Sequence, residues 1–276
     1  YIYNLSNPLF SVITVTLNPG EALWRTIASL EIQQFHNFEH IIKDAGSTDG
    51  SLSEYVRRTE NYSTRVICMP DAGIYDAMNQ ALEYANGKYV LFLNAGDKLF
   101  SCDVLGEVAQ VVEKYPDLGI VYGDYFSEPL NLVVNSPRKL SRFFLYRTTL
   151  CHQTIFAKNR EIEEIGGFDI SLRVLADYDL LLRMNLISNI SCFYMNKAFV
   201  SYMGGGFSTK SDNVKIAIQE AVMLRHKYYR LVDRLLYGAL RALTLPKLRI
   251  MLMQSSSLLS LQKVYTRVVN ILNSLS

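Results

Sequence analysis

Short apolar runs recur along the first half of the chain, and each gives way to a cluster of small and polar residues. Residues 11–17 (SVITVTL) are β-branched and close at Asn18-Pro19-Gly20, which reads as a strand and a turn. Over 21–34 the period changes, with Leu23, Ile27, Leu30 and then Phe35 at helical spacing. A second strand over 38–43 runs into KDAGSTDG (43–50), where Ser47 and Asp49 are N-cap candidates for a helix reaching about residue 59. Strands over 65–69 and 88–93 bracket a helix over 71–86, whose Ile74, Met78, Ala81, Leu82 and Ala85 share one face. A helix over 104–114 and a strand over 119–123 follow. Strand and helix alternate throughout, which predicts an α/β fold with a doubly wound, mostly parallel sheet.

The pattern then dissolves. Residues 124–147 read as a loop carrying Arg138, Lys139, Arg142 and Arg147. Order returns at 153–157, where His152 and Gln153 open a strand, and a turn follows at Gly166-Gly167. A helix over 176–186 and strands within 191–202 come next, broken by Gly204-Gly205-Gly206. Everything from Ser211 onward is helical in pattern, interrupted at Pro246. The expected division is a main α/β domain over 1–210, in two halves that meet at about 124, with a helical extension over 211–276.

Composition changes this picture in one place. With 49% hydrophobic and 20% charged residues the chain is an ordinary globular protein. Its net charge of +2 is unevenly spread: from Arg234 onward there are six Lys/Arg and no acid, leaving 22 basic against 26 acidic residues before it. A basic, leucine-rich tail on an acidic body suggests a membrane surface, met by amphipathic helices, or packing on protein. Nucleic acid is not expected, because aromatic and basic residues do not interleave. No apolar stretch nears the length of a span, and residues 1–8 are too short and polar for a signal peptide. Cys68, Cys102, Cys151 and Cys192 are scattered, as for reduced thiols in the cytoplasm.

Three acid-bearing segments sit where apolar runs end: KDAGSTDG, DAGIYDAMN (71–79) and FLNAGD (92–97). Ligands of open α/β sheets gather outside such strand ends. The first segment has neither a P-loop lysine nor GxGxxG, so its Asp44 is either a capping residue of a tight turn or an acceptor for a base or ribose. Asp97 is either a turn cap or a ligand for a divalent ion whose remaining oxygens come from a diphosphate. In ADYDL (176–180) the two acids diverge by about 200° on a helix. One is therefore a candidate general base and the other a structural partner. His152 is either packed or catalytic, and the basic loop either solvated or an anchor for phosphate.

Taken together these segments, with SVITVTLN, CHQTIF and GGFD, resemble the family 2 glycosyltransferases over roughly residues 11–206. The wording of DAGIYDAMN, NAGD, CHQ and ADYDL is most similar to the colanic-acid-type subgroup that builds bacterial surface polysaccharides. The resemblance implies a GT-A fold, a Rossmann-like sheet flanked by helices, and an inverting hexosyl transfer. The donor would be a nucleotide-diphosphate sugar and the acceptor a lipid-linked saccharide, met on the inner face of the cell membrane. It implies Thr16, Asn18, Asp44, Asp71 and Asn94 for the nucleotide, and Asp97 for Mn²⁺ or Mg²⁺. It also implies Asp177 as the base, His152 and Gln153 in the sugar or acceptor pocket, and residues 204–208 as a loop over the diphosphate. Two departures stand out: Ala45 in the first acidic motif, and Asn94 and Gly96 where a fuller pattern carries acids. A weakened sugar-nucleotide binder is the alternative. A sugar nucleotidyltransferase would need a Gly-rich basic loop that LNPGEALW does not supply.

Overall fold

A computed structural model of the chain describes residues 7–52, 62–207, 211–243 and 263. β1 (Phe10–Thr16) is buried over its first five positions. Alternation along it sends Phe10 and Val12 into one core and Ile13 into the other, on opposite faces of the sheet. α1 (Ala22–Glu31) leads to β2 (Phe38–Asp44), which is buried at every position although it carries Glu39, His40, Lys43 and Asp44. Burial of such groups requires partners, and each has one. Glu39 accepts from the Ser11 hydroxyl and the Asn86 amide, and the His40 ring meets the Thr14 hydroxyl. Lys43 pairs with Asp71.

β3 (Ser63–Cys68), α2 (Ile74–Leu82) and β4 (Tyr89–Phe92) complete a parallel set in the order β3-β2-β1-β4. Beyond β4 come β5 (Lys98–Leu99), α3 (Val104–Lys114), β6 (Ile120–Ser127), β7 (Leu132–Val134), α4 (Arg142–Arg147) and β8 (Ile155–Lys158). α5 (Asn159–Glu164), α6 (Ala176–Leu182), β9 (Cys192–Tyr202), α7 (Ser211–Tyr228) and α8 (Leu231–Leu243) follow. The full order is β3-β2-β1-β4-β8-β6-β9-β5, with β7 folded back on β6.

β8 runs antiparallel to both β4 and β6, so the sheet is parallel from β3 to β4 and mixed beyond it. A parallel neighbour needs a crossover, and β8 is entered from a tight turn instead. That turn is a 3-10 helix over His152–Thr154, closed by Thr154 bonding back to the Cys151 carbonyl. His152 and Gln153 therefore precede the strand, which begins at Ile155. The expected basic loop over 124–147 contains the end of β6, the hairpin strand β7 and α4, capped by the Ser141 hydroxyl. Three-residue and six-residue elements are too short to show a period. α6 gives way to a π-helical turn over Arg183–Ile187. Of the helix expected to reach residue 59, the described part ends at 52, and residues 53–61 lie outside the described residues. The same holds for Pro246 and nearly all of 244–276.

One core, between the sheet and α2, α6 and α4, holds Ile13, Tyr75, Met78, Phe92, Phe168 and Leu181. Leu224 and Tyr229 of the C-terminal helical region belong to it too. A second core lies under α3 and holds Phe10, Leu91, Val108, Val112 and Phe199, and a smaller third, of Leu23, Ile27 and Ile42, lies between α1 and β2.

Candidate active site

The first rim forms where β1 and β2 end side by side, with Thr16 opposite Asp44. Asp44 is buried and spends its carboxylate on its own turn. It accepts from the Gly46 and Ser47 amides at 2.8 and 2.7 Å and from the Ser47 hydroxyl at 2.5 Å. Ser47 in turn accepts from the Asn18 amide at 2.7 Å, and Asn18 Oδ1 accepts from the Thr48 amide at 2.8 Å. Asn18 sits at φ 49°, a left-handed conformation that Asn tolerates. Asp49 ties the same rim to Gly20 and also accepts from Ser51, so it, rather than Ser47, takes the capping part. Thr16, Asn18 and Asp44 thus form one knitted edge.

Asp71 joins that edge through Lys43. The fully buried lysine donates to the Met69 carbonyl at 2.7 Å and to Asp71 Oδ2 at 2.9 Å. Asp71 also accepts from the Gly73 amide at 3.1 Å.

The second group assembles around the segment after β4. Asp97 is buried, and its two oxygens accept from the Met203 amide at 2.8 Å and the Gln153 side-chain amide at 2.9 Å. Burial raises its carboxyl above the usual range, against the pull of those two bonds. Gln153 Oε1 faces the Cys151 sulfur at 2.9 Å, and burial pushes that thiol up, so it stays protonated and unreactive. Gly96 has φ +100°, and a Cβ there would lie 2.7 Å from the Met203 methyl carbon. Met203 fills the space a side chain at position 96 would need.

From Asn94 a chain of contacts crosses to the second half of the sequence. The Asn94 amide meets His152 Nε2 at 3.2 Å, and His152 Nδ1 lies 3.3 Å from Asp177 Oδ2. A donor on Nε2 and an acceptor at Nδ1 select the Nδ1–H tautomer. Asp177 Oδ1 accepts from the Tyr178 amide at 2.9 Å and lies 3.1 Å from the Tyr75 hydroxyl. That hydroxyl donates to the Val174 carbonyl at 2.5 Å. Burial, reinforced by the Asp177 charge, raises the Tyr75 hydroxyl, so it remains a donor. Asp179 faces away, fully buried against Arg183, Lys227 and Tyr228. The two acids of ADYDL have separate surroundings.

The structure therefore groups Thr16, Asn18, Asp44 and Asp71 on one edge, and Asn94, Asp97, His152, Gln153 and Asp177 on the next. The groups are linked through Thr14, whose hydroxyl donates to the Leu93 carbonyl. Arg142 of the expected phosphate loop is turned elsewhere, toward Asp233 at 3.5 Å. Sequence reasoning missed Tyr75, Asn79 and Met203. The first two stand four apart on α2, a one-face spacing inside a motif already singled out for its acids. Asn79 clamps Phe168 through both its amide and carbonyl.

A divalent ion fits this site only together with a ligand's own oxygens. No three His, Cys, Asp or Glu converge among the described residues, and Asp97 is the single carboxylate of its segment. Mg²⁺ and Mn²⁺ are commonly held by one or two carboxylates plus phosphate oxygens, so this donor set fits a metal–diphosphate pair.

The mostly parallel sheet flanked by helices is of the GT-A kind. Residues 11–162 match the model of Glycosyl transferase family 2, and the chain belongs to that family. It is 30% identical over 243 residues to a PGL/p-HBAD biosynthesis glycosyltransferase of Mycobacterium tuberculosis, covering 83% of this chain and 94% of that one. An uncharacterized glycosyltransferase of the same species is 32% identical over 190 residues, 66% of this chain and 71% of the relative. Among solved structures, S. aureus TarS 1-349 in complex with UDP-GlcNAc matches with a TM-score of 0.64 at 20% identity, over 80% of this chain and 67% of that one. The mannosyltransferase PcManGT from Pyrobaculum calidifontis, in complex with GDP-Man and Mn²⁺, matches with a TM-score of 0.58 at 16% identity, over 96% and 87%. These two likenesses are of fold.

Proposed function

We propose that this glycosyltransferase moves a sugar from a nucleoside-diphosphate donor to an acceptor hydroxyl with inversion, and that Asp177 is its general base. The observation that carries the reading is the placement of Asp177 beside the donor-side segment, 3.3 Å from a histidine that itself touches Asn94. Thr16, Asn18, Asp44, Asp71 and Asn94 line the nucleotide, with the fourth lone-pair direction of Asp44 left for a base or ribose donor. Asp97 would hold Mn²⁺ or Mg²⁺ on the diphosphate, and the ion, when bound, offsets the negative charge of the departing group. His152 Nδ1–H fixes one oxygen of Asp177. The carboxylate takes the proton of the acceptor hydroxyl as the hydroxyl's oxygen attacks the anomeric carbon from the face opposite the leaving diphosphate. Gln153 holds Asp97 in place beneath the sugar.

The named ligands of the two structural neighbours, UDP-GlcNAc and GDP-Man with Mn²⁺, support a donor of this class. A lipid-linked saccharide acceptor is supported by α8, whose Leu231, Val232, Leu235, Leu236 and Leu240 point outward. No helix among the described residues is long and apolar enough to cross a membrane, so such contact would be peripheral.

The test is a thermal-shift screen across UDP-, GDP- and dTDP-sugars with and without Mn²⁺, followed by turnover of the donor that binds. A ligand of the folded state raises the transition by RT ln(1 + [L]/Kd), about 2.7 kcal/mol at 100-fold excess over Kd. Absence of any shift sinks the reading. Asp177→Asn should keep donor binding and lower turnover about 10²–10⁴-fold. Unchanged turnover would remove Asp177 from the reaction and favour a binder whose chemistry lies elsewhere.

A further inference from the structure

α6, which carries Asp177, starts without a cap of its own: Leu175 stands at its N-cap and offers no side-chain acceptor. The amides that precede a helix need partners, and here a single carboxylate from α7 meets three in succession. Glu220 Oε1 accepts from the Arg173 amide at 2.7 Å, while Oε2 accepts from those of Val174 and Leu175 at 3.0 and 2.8 Å. A negative charge at this end also opposes the helix dipole favourably. The clamp has a second jaw, since Lys227 and Tyr228 of α7 reach Asp179 at 3.1 and 2.7 Å. What Glu220 holds is specific. Val174, whose amide it binds, presents the carbonyl that accepts the hydrogen bond of the Tyr75 hydroxyl, and that hydroxyl also lies against Asp177.

We propose that Glu220 is a positioning residue for the reaction: from α7 it fixes the segment entering α6, and so sets the Asp177 carboxylate against His152 and Tyr75. The proposal rests on Asp177 being the base, but its geometry is read independently of turnover. The chain has four histidines, so selective ¹⁵N-histidine labelling of the full chain resolves the His152 ring. In the wild type its nitrogens should report the Nδ1–H tautomer bonded to Asp177. In Glu220→Ala they should move toward the average of a free imidazole. Glu220→Gln, which keeps one acceptor oxygen, should fall between. Val112→Ala, a core truncation under α3 remote from the site, serves as the control for general destabilisation and should leave the ring signals in place. In parallel, hydrolysis of UDP-GlcNAc with Mn²⁺ should lose about ten-fold or more in kcat in Glu220→Ala with KM within about two-fold, as expected when orientation alone is lost. Unmoved His152 signals in Glu220→Ala, or an equal movement in Val112→Ala, would overturn the proposal. If Glu220→Ala does not fold, the Gln variant decides by the same signals. A wild type that turns over no UDP-GlcNAc while its His152 signals respond to Glu220 would count against that donor or the base assignment, and would leave the clamp standing.

Discussion

Lys43 places an amino group where none of its side chain meets water, and Asp71 answers it at 2.9 Å with 11% exposure. Breaking a buried pair from one side strands the other charge, which costs about 3–5 kcal/mol, whereas replacing both partners by apolar groups is often neutral. Asp71→Asn should therefore lower the unfolding free energy by about that much in urea titrations, and Lys43→Met with Asp71→Asn should recover most of it. Donor affinity then separates two roles. If Asp71 touches the nucleotide, the stable double variant still binds donor weakly; if it only holds Lys43, affinity returns with stability. His40 gives a second expectation. Burial holds its ring at a pKa of about 3, against 6.5 for the free side chain. Below about pH 6.5 the unfolded chain takes up a proton there that the folded chain refuses, so stability is full above that pH and falls toward pH 3. The slope from this one group approaches 1.4 kcal/mol per pH unit, about the free-energy equivalent of one pKa unit. Urea melts between pH 6.5 and 5 should show it, and the part of the slope that His40→Gln removes is the part that belongs to this ring.

Between elements, the informative joint is α2 against the Gly166-Gly167 turn. Asn79 both donates to and accepts from Phe168, and Arg183 donates to the Ile165 and Gly167 carbonyls at 2.6 Å each. Asn79→Ala leaves two backbone groups of Phe168 unpaired at a cost of about 1–3 kcal/mol. We expect that loss in chemical denaturation, with new protease cleavage near Gly166-Gly167; an unchanged cleavage pattern would place the turn's order in Arg183 alone. This joint also marks what the sequence could tell. The buried strands β1, β2 and β4 and helices α1, α2 and α3 were legible because each is long enough to show its period. Asp97 and Asp177 were legible as acids at element ends, and their family resemblance assigned them roles. Partnerships were not. Nothing local says that Asn79 meets Phe168, that Tyr75 reaches Asp177, or that Glu220 holds the amides ahead of α6, because such contacts follow from how the sheet folds distant segments together. β7 and the His152–Thr154 turn escaped for the opposite reason, being shorter than any period that could reveal them.

In the molecule as a whole, the C-terminal helices face two ways. Leu224 and Tyr229 are buried in the core beside α6, and Tyr237 stacks among Phe143, Tyr146 and Tyr229, so this region is built onto the catalytic body. α8 docks through Tyr237 and Asp233, and its leucine side is what remains outside, at 41–73% exposure. A stripe of five large aliphatic side chains left in water is unusual for a helix already held on its other face. From Arg234 onward the chain adds six basic residues and no acid, which suits an anionic surface rather than an acidic protein core. Peripheral binding by such a helix scales with buried apolar area plus charge attraction. The full chain should therefore sediment with vesicles containing anionic lipid, more weakly with neutral vesicles, and less as salt rises. Leu235→Glu with Leu236→Glu should abolish sedimentation while leaving the thermal transition and donor binding unchanged, because both side chains are more than half exposed, at 67% and 55%. A dimer by light scattering that the same double variant dissolves, with no vesicle binding by the wild type, would assign the stripe to a second copy of the chain and remove the membrane from the account.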